Sequence, residues 1–413
     1  MNIAWKEIDA ILKRSTDKYR FYFGNYTYHD CSKGKLATEI PLAHLGWGKR
    51  AVEMRANKTH FDCFENDSLG LNDILQKYGV IAAFNKVKED ILIAGCGFLA
   101  LAYGKVMPFA ADEATGIYNW KEQNLKEGYA VFVSNSKDTV RPEHPDAYIE
   151  YEQTQSRSYE DNTANTLSNP TGRPLMGVLT YNSTTKRPFG HSVLSRPVRD
   201  AIIDASRTAR QAMIAAHYYN TKVDVILGAD STTAIDKIET RTGDILKVGV
   251  NEDGQIPKLG ELAQHAMAPF RDTILIAANN FCAATKLSLV NLGITTDAPQ
   301  STEALEIVND DLKDDILAWQ EELGEQLKYF TVTLWMYDNK VGKIDDNLRE
   351  KINAITPIWK PVFETDVSKF GDGLTKIAQN VPDIIKARSI WRNLGLSSEE
   401  IDMVIASVND EVL

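Results

Sequence analysis

The chain has 413 residues, 43% hydrophobic and 25% charged, an ordinary globular balance that excludes wholesale disorder and allows a real core in two or three domains. With 57 acidic against 46 basic side chains its formal charge is −11. That excludes a protein that grips nucleic-acid phosphates through a basic stripe, but not one whose contact with nucleic acid must stay loose.

Cys31, Cys63, Cys96 and Cys282 show no C-x-x-C spacing, so neither a zinc ribbon nor a redox motif is expected. Each reads as a small buried hydrophobe in a reducing compartment. The opening Met1-Asn2-Ile3-Ala4-Trp5-Lys6-Glu7 lacks the basic-then-apolar pattern of a signal peptide. The longest apolar run, 91–104, covers 14 residues, whereas a membrane span needs about 20. A soluble chain, made in a cytoplasm and with no membrane partner, is the expectation.

In chain order, a helical pattern over 3–18 precedes an aromatic cluster of Tyr19, Phe21, Tyr22, Phe23, Tyr26 and Tyr28. Residues 71–87 read as helix and 91–103 as a buried apolar segment containing Gly95 and Gly97. Strand-like stretches follow at 129–133, 147–151 and 175–181. The polar, Ser/Thr/Asn-rich 153–173 between them suggests an exposed loop or hairpin. Runs of strands without strict β-α alternation make this half α+β.

Beyond Arg187-Pro188-Phe189-Gly190-His191-Ser192 a helix is predicted over 195–219, with Ser195 as N-cap and Pro197 in the first turn. At about 100° per residue Ala201, Ala205, Ala209, Ala212 and Ala216 share one face, and Arg196, Arg199, Arg207 and Arg210 the opposite one. A solvated surface helix is the plain reading of that basic face. A compact insert follows: strand at 223–227, short helix at 231–240, strand at 245–250 and a turn at 251–254. Helix is expected again over 259–286, and residues 287–300 read as a loop.

A new helix is predicted from Ser301 to about Asn339. Leu305, Val308, Leu312, Ile316, Trp319, Leu323, Leu327, Phe330 and Leu334 fall 3, 4, 4, 3, 4, 4, 3 and 4 apart, one unbroken apolar stripe. Its first 25 residues carry nine acids, Glu303, Glu306, Asp310, Asp311, Asp314, Asp315, Glu321, Glu322 and Glu325, against the single base Lys313. At about 1.5 Å per residue it would run roughly 60 Å, which implies an elongated subunit or a bundle. A short edge strand at 355–361 and helices at 366–380, 382–394 and 397–408 complete the chain.

No catalytic constellation is found. G-x-x-x-x-G-K-[ST], H-E-x-x-H and G-x-S-x-G are absent, and no two histidines stand three or four apart. Gly95-Cys96-Gly97 lacks the third glycine of a dinucleotide fingerprint and reads as packing. His191 beside Ser192 is more simply a structural hydrogen bond than part of a triad. No enzyme, metal or cofactor is expected.

The order of strand-rich part, R-P-F-G-x-S, helix, small insert, helix, loop, very long helix and terminal helices resembles the portal protein of tailed bacteriophages, the head-to-tail connector. The words that carry this are Arg187, Pro188, Phe189, Gly190 and Ser192; then Asp204, Ala205, Arg207, Thr208 and Ala209; then Tyr218-Tyr219 leading into Val225-Ile226-Leu227-Gly228-Ala229-Asp230. Tyr22-Phe23-Gly24, Gly46-Trp47 and Leu394-Gly395-Leu396-Ser397 add to it. The words are short, so their order and spacing over nearly the whole chain give them weight. His191 departs from the basic or small residue of many relatives, and the last helical part is short.

The resemblance implies an α+β, elongated, portal-type subunit that assembles into a ring, usually of about twelve copies, around a channel for double-stranded DNA. It implies a wing (1–192), stem helices (193–220 and 259–286) and a small α/β clip (221–258). It further implies a tunnel loop (287–300), a long linking helix (301–340), a wing return strand (341–365) and crown helices (366–413). The implied partners are further copies of itself, DNA, a terminase motor, head-tail adaptor proteins, and the major capsid or scaffolding protein. The implied place is the capsid vertex of a virion. Val290, Asn291, Leu292, Gly293, Ile294, Thr295 and Thr296 would touch DNA sterically. Arg196, Arg199, Arg207 and Arg210 would divide between inter-subunit acids and sparse basic rings in an otherwise repelling wall. The alternative is a cytoplasmic scaffold or adaptor that oligomerises through the long acidic helix. The repeat of 3, 4 and 4 in that helix is an 11-residue pattern and not a sustained heptad.

Overall fold

A computed structural model describes residues 17–29, 40–121, 124–132, 147–160, 163–219, 224–227, 235–240, 243–248, 258–261, 267–294, 309–362, 387–393, 396 and 398–410. The helical pattern at 3–18 up to residue 16, the turn at 251–254, the helix at 366–380, part of that at 382–394, and Cys31 lie outside them. The described residues are α+β with antiparallel sheets.

Helix α1 (Trp47–Ala56) leads to strand β1 (Phe61–Glu65). The single helix expected over 71–87 is two, α2 (Leu71–Tyr78) and α3 (Val80–Ala94), because Gly79 between them takes φ 69°. Asp67 starts α2 by accepting the Leu71 and Asn72 amides, each at 2.8 Å. Leu71, Ile74, Leu75 and Tyr78 then bury one helical face.

The apolar segment 91–103 also divides. Gly95, at φ 104°, ends α3, and Cys96 opens β2 (Cys96–Ala102), which is buried throughout. β2 is the middle strand of an antiparallel sheet between β3 (Lys105–Ala110) and β9 (Met176–Thr180), so neither of its faces meets water. Tyr103 and Gly104, both at positive φ, make the two-residue turn from β2 to β3. Gly97 is a packing glycine, as expected: a Cβ there would lie 2.6 Å from Val87 Cγ2 and 2.9 Å from Ile91 Cγ1.

A second sheet is an antiparallel meander of β4 (Ala114–Asn119), β5 (Asn124–Phe132), β6 (Ala147–Tyr151), β7 (Gln155–Glu160) and β8 (Thr163–Ser168). The polar stretch 153–173 is therefore the expected hairpin, β7 and β8. Helix α4 (Arg196–Tyr219) agrees with its periodicity.

The insert differs from expectation. Residues 231–240 were expected to contain a helix, but Ile235–Thr240 is strand β11, which follows β10 (Asp224–Leu227). β11 pairs with β12 (Gly243–Val248), setting Ile238 opposite Ile245. Two isoleucines and a threonine in six residues lower helix propensity and suit a paired strand. Helix was likewise expected from 259. Lys258–Glu261 is instead strand β13, paired with β10, and helix α5 is Ala268–Thr285. The described residues of the expected α/β clip are thus all strand.

The long helix, α6 (Asp310–Asp338), is about 44 Å at 1.5 Å per residue; its expected start at 301–308 lies outside the described residues. Leu312, Ile316, Trp319, Leu323, Leu327, Phe330 and Leu334 are all buried, so the stripe is core. Helix α7 (Asp346–Ala354), capped by Asp345 on the Leu348 amide at 2.8 Å, leads to β14 (Thr356–Trp359), which among the described residues pairs only with β1. Pro357 is tolerated on that two-stranded edge and sits against Gly324 of α6. Helices α8 (Arg388–Asn393) and α9 (Ser398–Asp410) end the described chain. No helix among the described residues is long and apolar enough to cross a membrane.

The chain divides into two compact units, Met1–Tyr26 with Gly46–Arg199 and Cys282–Leu413, and Thr27–Leu45 with Asp200–Phe281. In the first, helical residues 17–23 lie on α3: Tyr19 donates to Asp90 at 2.9 Å, Tyr22 to Glu89 at 2.7 Å and Lys18 to the Ala94 carbonyl at 2.7 Å. In the second, the Tyr28 hydroxyl accepts the Ala43 amide at 3.0 Å.

Two measurements follow from this packing. Gly97→Ala forces a methyl into Val87 and Ile91 and is expected to cost about 1–3 kcal/mol, read as a lower urea midpoint at unchanged helix content. Burial pushes the Asp90 carboxyl up to about 6 against the bond from Tyr19, with Asp112, Glu113 and Glu89 adding to the rise. A folded value above the unfolded one of about 3.9 makes this group favour folding when protonated, so its contribution declines as pH rises from about 4 to 6. Asp90→Asn is expected to remove that decline and to raise the urea midpoint above pH 6.

Candidate functional site

The segment Arg187-Pro188-Phe189-Gly190-His191-Ser192 fastens the chain just before α4. Gly190, at φ 68°, packs against the Gly95 and Tyr181 backbone, where no Cβ would fit. The His191 amide donates to the Tyr181 carbonyl at 2.8 Å, the Tyr181 amide to the Gly95 carbonyl at 3.0 Å and the Val193 amide to the Leu92 carbonyl at 3.0 Å. Phe189 sits 6.3 Å from the Phe98 ring and 6.1 Å from the Tyr118 ring. Ser192 donates to the Ile93 carbonyl, and His191 Nδ1 lies 2.8 Å from the Asn182 carbonyl. Both side chains are engaged with backbone, as a structural role requires. The motif therefore locks the end of β9 to the α3–β2 turn and so fixes where α4 begins.

The four arginines of α4 are not equivalent. Arg196 is exposed, and Arg199 lies 5.7 Å over the Phe21 ring. Arg207 donates to the His29 carbonyl at 3.3 Å and faces Asp204 at 3.4 Å. Arg210 departs from the expectation of a solvated face: it is only 6% exposed and donates to the Ile40 carbonyl at 3.0 Å. On the opposite face Ala201 and Ala205 are buried, while Ala209, Ala212 and Ala216 are half-buried.

After α5 the chain turns at Lys286, whose φ is 55°. Leu287 and Ser288 are buried, Val290–Leu292 form a 3-10 turn, and Gly293 takes φ 77°. Val290, Asn291, Leu292 and Ile294 are half-buried and Gly293 is exposed. The Asn291 carbonyl accepts Arg50 Nε of α1 at 2.9 Å, and its amide side chain donates to Asn309 at 3.0 Å. Thr295 and Thr296 lie outside the described residues.

Next to this segment stands a heavily bonded carboxylate of α6. Asp315 accepts Arg55 Nε at 2.8 Å, the Tyr181 hydroxyl at 2.7 Å and Lys286 Nζ at 2.7 Å. Arg55 is 2% exposed, and its remaining nitrogens reach the Ala51 carbonyl at 2.9 Å and the Thr285 carbonyl at 2.5 Å. Burial raises the Asp315 carboxyl, but the Arg55 charge and the bonds from Lys286, Tyr181 and Arg55 outweigh it, leaving the group below its ordinary value. Two turns on, Glu322 accepts the Thr180 hydroxyl at 2.6 Å and the Asn182 and Ser183 amides at 2.9 and 3.1 Å. Asp310, Asp311, Asp314, Glu321 and Glu325 are exposed. Glu303 and Glu306 lie outside the described residues.

Sequence reasoning missed the Arg55–Asp315 pair. The residues stand 260 apart, and neither lies in a pattern that names its partner. Among the described residues no three His, Cys, Asp or Glu groups could hold a metal ion. Burial pushes the Cys96 thiol up to about 12 against the pull of Lys18, and Cys63 and Cys282 are half-buried.

No family model and no curated protein matches the chain. Solved structures do resemble it. The virion of a native gene transfer agent (GTA) particle contains a chain 12% identical, with TM-score 0.45 and 89% of each chain covered. The neck of the native GTA particle computed with C12 symmetry gives 13% identity and TM-score 0.46 over 95% of this chain and 93% of that one. The neck of the empty particle computed with C6 symmetry gives 12% and 0.42 over 70% and 78%. Likeness at these scores carries no argument about what the chain does.

Asp315→Asn strips the buried Arg55 of its counter-charge and is expected to cost about 3–5 kcal/mol in denaturant unfolding. Because the folded carboxyl lies below its unfolded value of about 3.9, the ion pair contributes fully above that pH and is lost as pH falls through the folded value. The wild-type chain should lose stability on that acid limb, and the asparagine variant should show less of the loss.

Proposed function

We propose that this chain is the portal subunit of a tailed phage or phage-like particle. About twelve copies would close a ring at the capsid vertex, through which double-stranded DNA is packaged and ejected. The terminase motor would engage the ring during packaging. Head-tail adaptors would bind the β10–β13 insert, and capsid or scaffolding protein would surround the wing. The observation that carries the reading is the 187–192 motif. In the sequence it is the central word of the portal resemblance, and in the fold it fixes the start of the helix that the resemblance assigns to the stem.

The exposed acids of α6 support the same reading. A duplex must slide, and every phosphate contact adds affinity through counterion release, so several per subunit would stall it. Exposed carboxylates oppose such contacts within about 8–10 Å at ordinary salt. Arg196, the exposed member of the four stem arginines, is the best placed to form a sparse basic ring. The scaffold alternative needs the apolar stripe of α6 free to pair with a partner helix. Leu312 through Leu334 are instead buried within this chain, which disfavours that alternative.

Negative-stain images and native mass of the purified protein test the reading. Closed rings with a central hole are expected; particles that stay monomeric at every concentration would sink it. Replacing 294–299 by a glycine-serine linker of equal length keeps Asn291 and should leave rings intact while lowering DNA packaging or retention. Unchanged packaging would reject the loop's part in the channel.

A further inference from the structure

The loop proposed to narrow the channel is bracketed by two arginines of α1. Upstream, Arg55 holds the Thr285 carbonyl at the end of α5 and shares Asp315 with Lys286, the residue at which the chain turns. Downstream, Arg50 Nε holds the Asn291 carbonyl at 2.9 Å. The loop supplies its own closure between these points. Asn291 N donates to Ser288 Oγ at 3.2 Å, Gly293 N to the Val290 carbonyl at 2.9 Å and Ile294 N to the Leu289 carbonyl at 3.0 Å. Asn291 also reaches Asn309, immediately before α6.

The two arginines differ in kind. Arg55 is buried and belongs to the core, so its loss would unsettle the fold. Arg50 is exposed, and its bond to Asn291 touches no core residue. An exposed charge-assisted bond to a carbonyl holds a segment without being needed to fold it.

We propose that Arg50 is a positioning residue for the loop 287–294, a latch that sets how far the segment can open. The functional half of this inference rests on the portal reading; the latch itself does not. Removing the latch leaves Asn291 held by Ser288 and Asn309, so the loop opens more often but is not released. In an assembled ring every copy carries the latch, and one substitution loosens all of the loops together.

Hydrogen exchange of the full-length protein tests the latch directly. In Arg50→Ala the amides of Gly293 and Ile294 are expected to exchange roughly three- to ten-fold faster, the range given by one such bond. The amides of Leu323 and Leu327 in α6 keep their rates. Arg50→Lys, which retains a cationic donor on a long stem, is expected to recover most of the protection. Equal loop exchange in wild type and Arg50→Ala overturns the proposal. So does an equal rise in α6, which would make Arg50 a general stability residue. These readouts need neither ring nor DNA, so they stand or fall apart from the portal reading. In assembled particles, faster loop exchange with undiminished DNA retention would keep the latch and remove the loop's part in the channel.

Discussion

A carboxylate on the long helix, Asp315, is held by three donors from three separate parts of the chain, and the rest of the first unit is arranged around it. Arg55 comes from α1, Tyr181 from the end of β9 and Lys286 from the turn after α5. Neither Arg55 nor Asp315 could be buried alone, because a desolvated guanidinium or carboxylate costs several kcal/mol without its partner. Their mutual satisfaction fixes the rotation of α6 about its own axis. With Asp315 and Glu322 turned toward β9, the apolar stripe from Leu312 to Leu334 faces the core and Asp310, Asp311, Asp314, Glu321 and Glu325 face outward. The same rotation brings Trp319 Nε1 to the Thr180 carbonyl at 3.0 Å and Phe330 against Gly177, where a Cβ would come within 2.9 Å of the ring.

Position along the chain decides how much of this could be read from the residues. The α6 stripe was legible because its period is local and unbroken. The hairpin at 153–173 was legible because polar residues interrupt strand-like runs. Gly79 and Gly95 were visible as glycines, but their power to split a helix and to end one depends on positive φ, which a sequence does not display. Residues 235–240 form a strand where the sequence predicts a helix, because a strand is selected by its partner, here β12, and pairing is a property of two segments. The Arg55–Asp315 pair was out of reach for the same reason carried further, since nothing in either neighbourhood specifies a partner 260 residues away.

The site shows a similar division. The 187–192 motif is recognisable as a word, yet its work lies in the His191 backbone bond to Tyr181 and in a Gly190 approach to the Gly95 backbone that admits no side chain. The four arginines of α4 share a helical face in the sequence but not a common environment. Periodicity says which direction a side chain leaves the helix, and the neighbouring chain decides whether water is there. At Arg210 it is the Ile40 backbone that lies there.

These placements change what the formal charge of −11 means. Counting side chains treats every charge as equally available, but Arg55 and Arg210 are buried, and Asp315 and Glu322 are turned to internal donors. The charges that a partner meets are those left over, and on α6 Asp310, Asp311, Asp314, Glu321 and Glu325 share one outward face, with Lys313 exposed beside them and Glu325 paired to Lys328. A helix could bury its stripe equally well with a neutral outer face, and acids crowded on one side repel each other by a few tenths of a kcal/mol per close pair. In the proposed conduit that cost would have a use, since the face would discourage phosphate from settling. Around a passing duplex, electrostatic repulsion summed over a ring acts at every rotational position, whereas a basic contact would act only where it met a phosphate. The acidity that excludes a gripping protein is thus concentrated on the outer face of α6, and the proposed conduit would use it there.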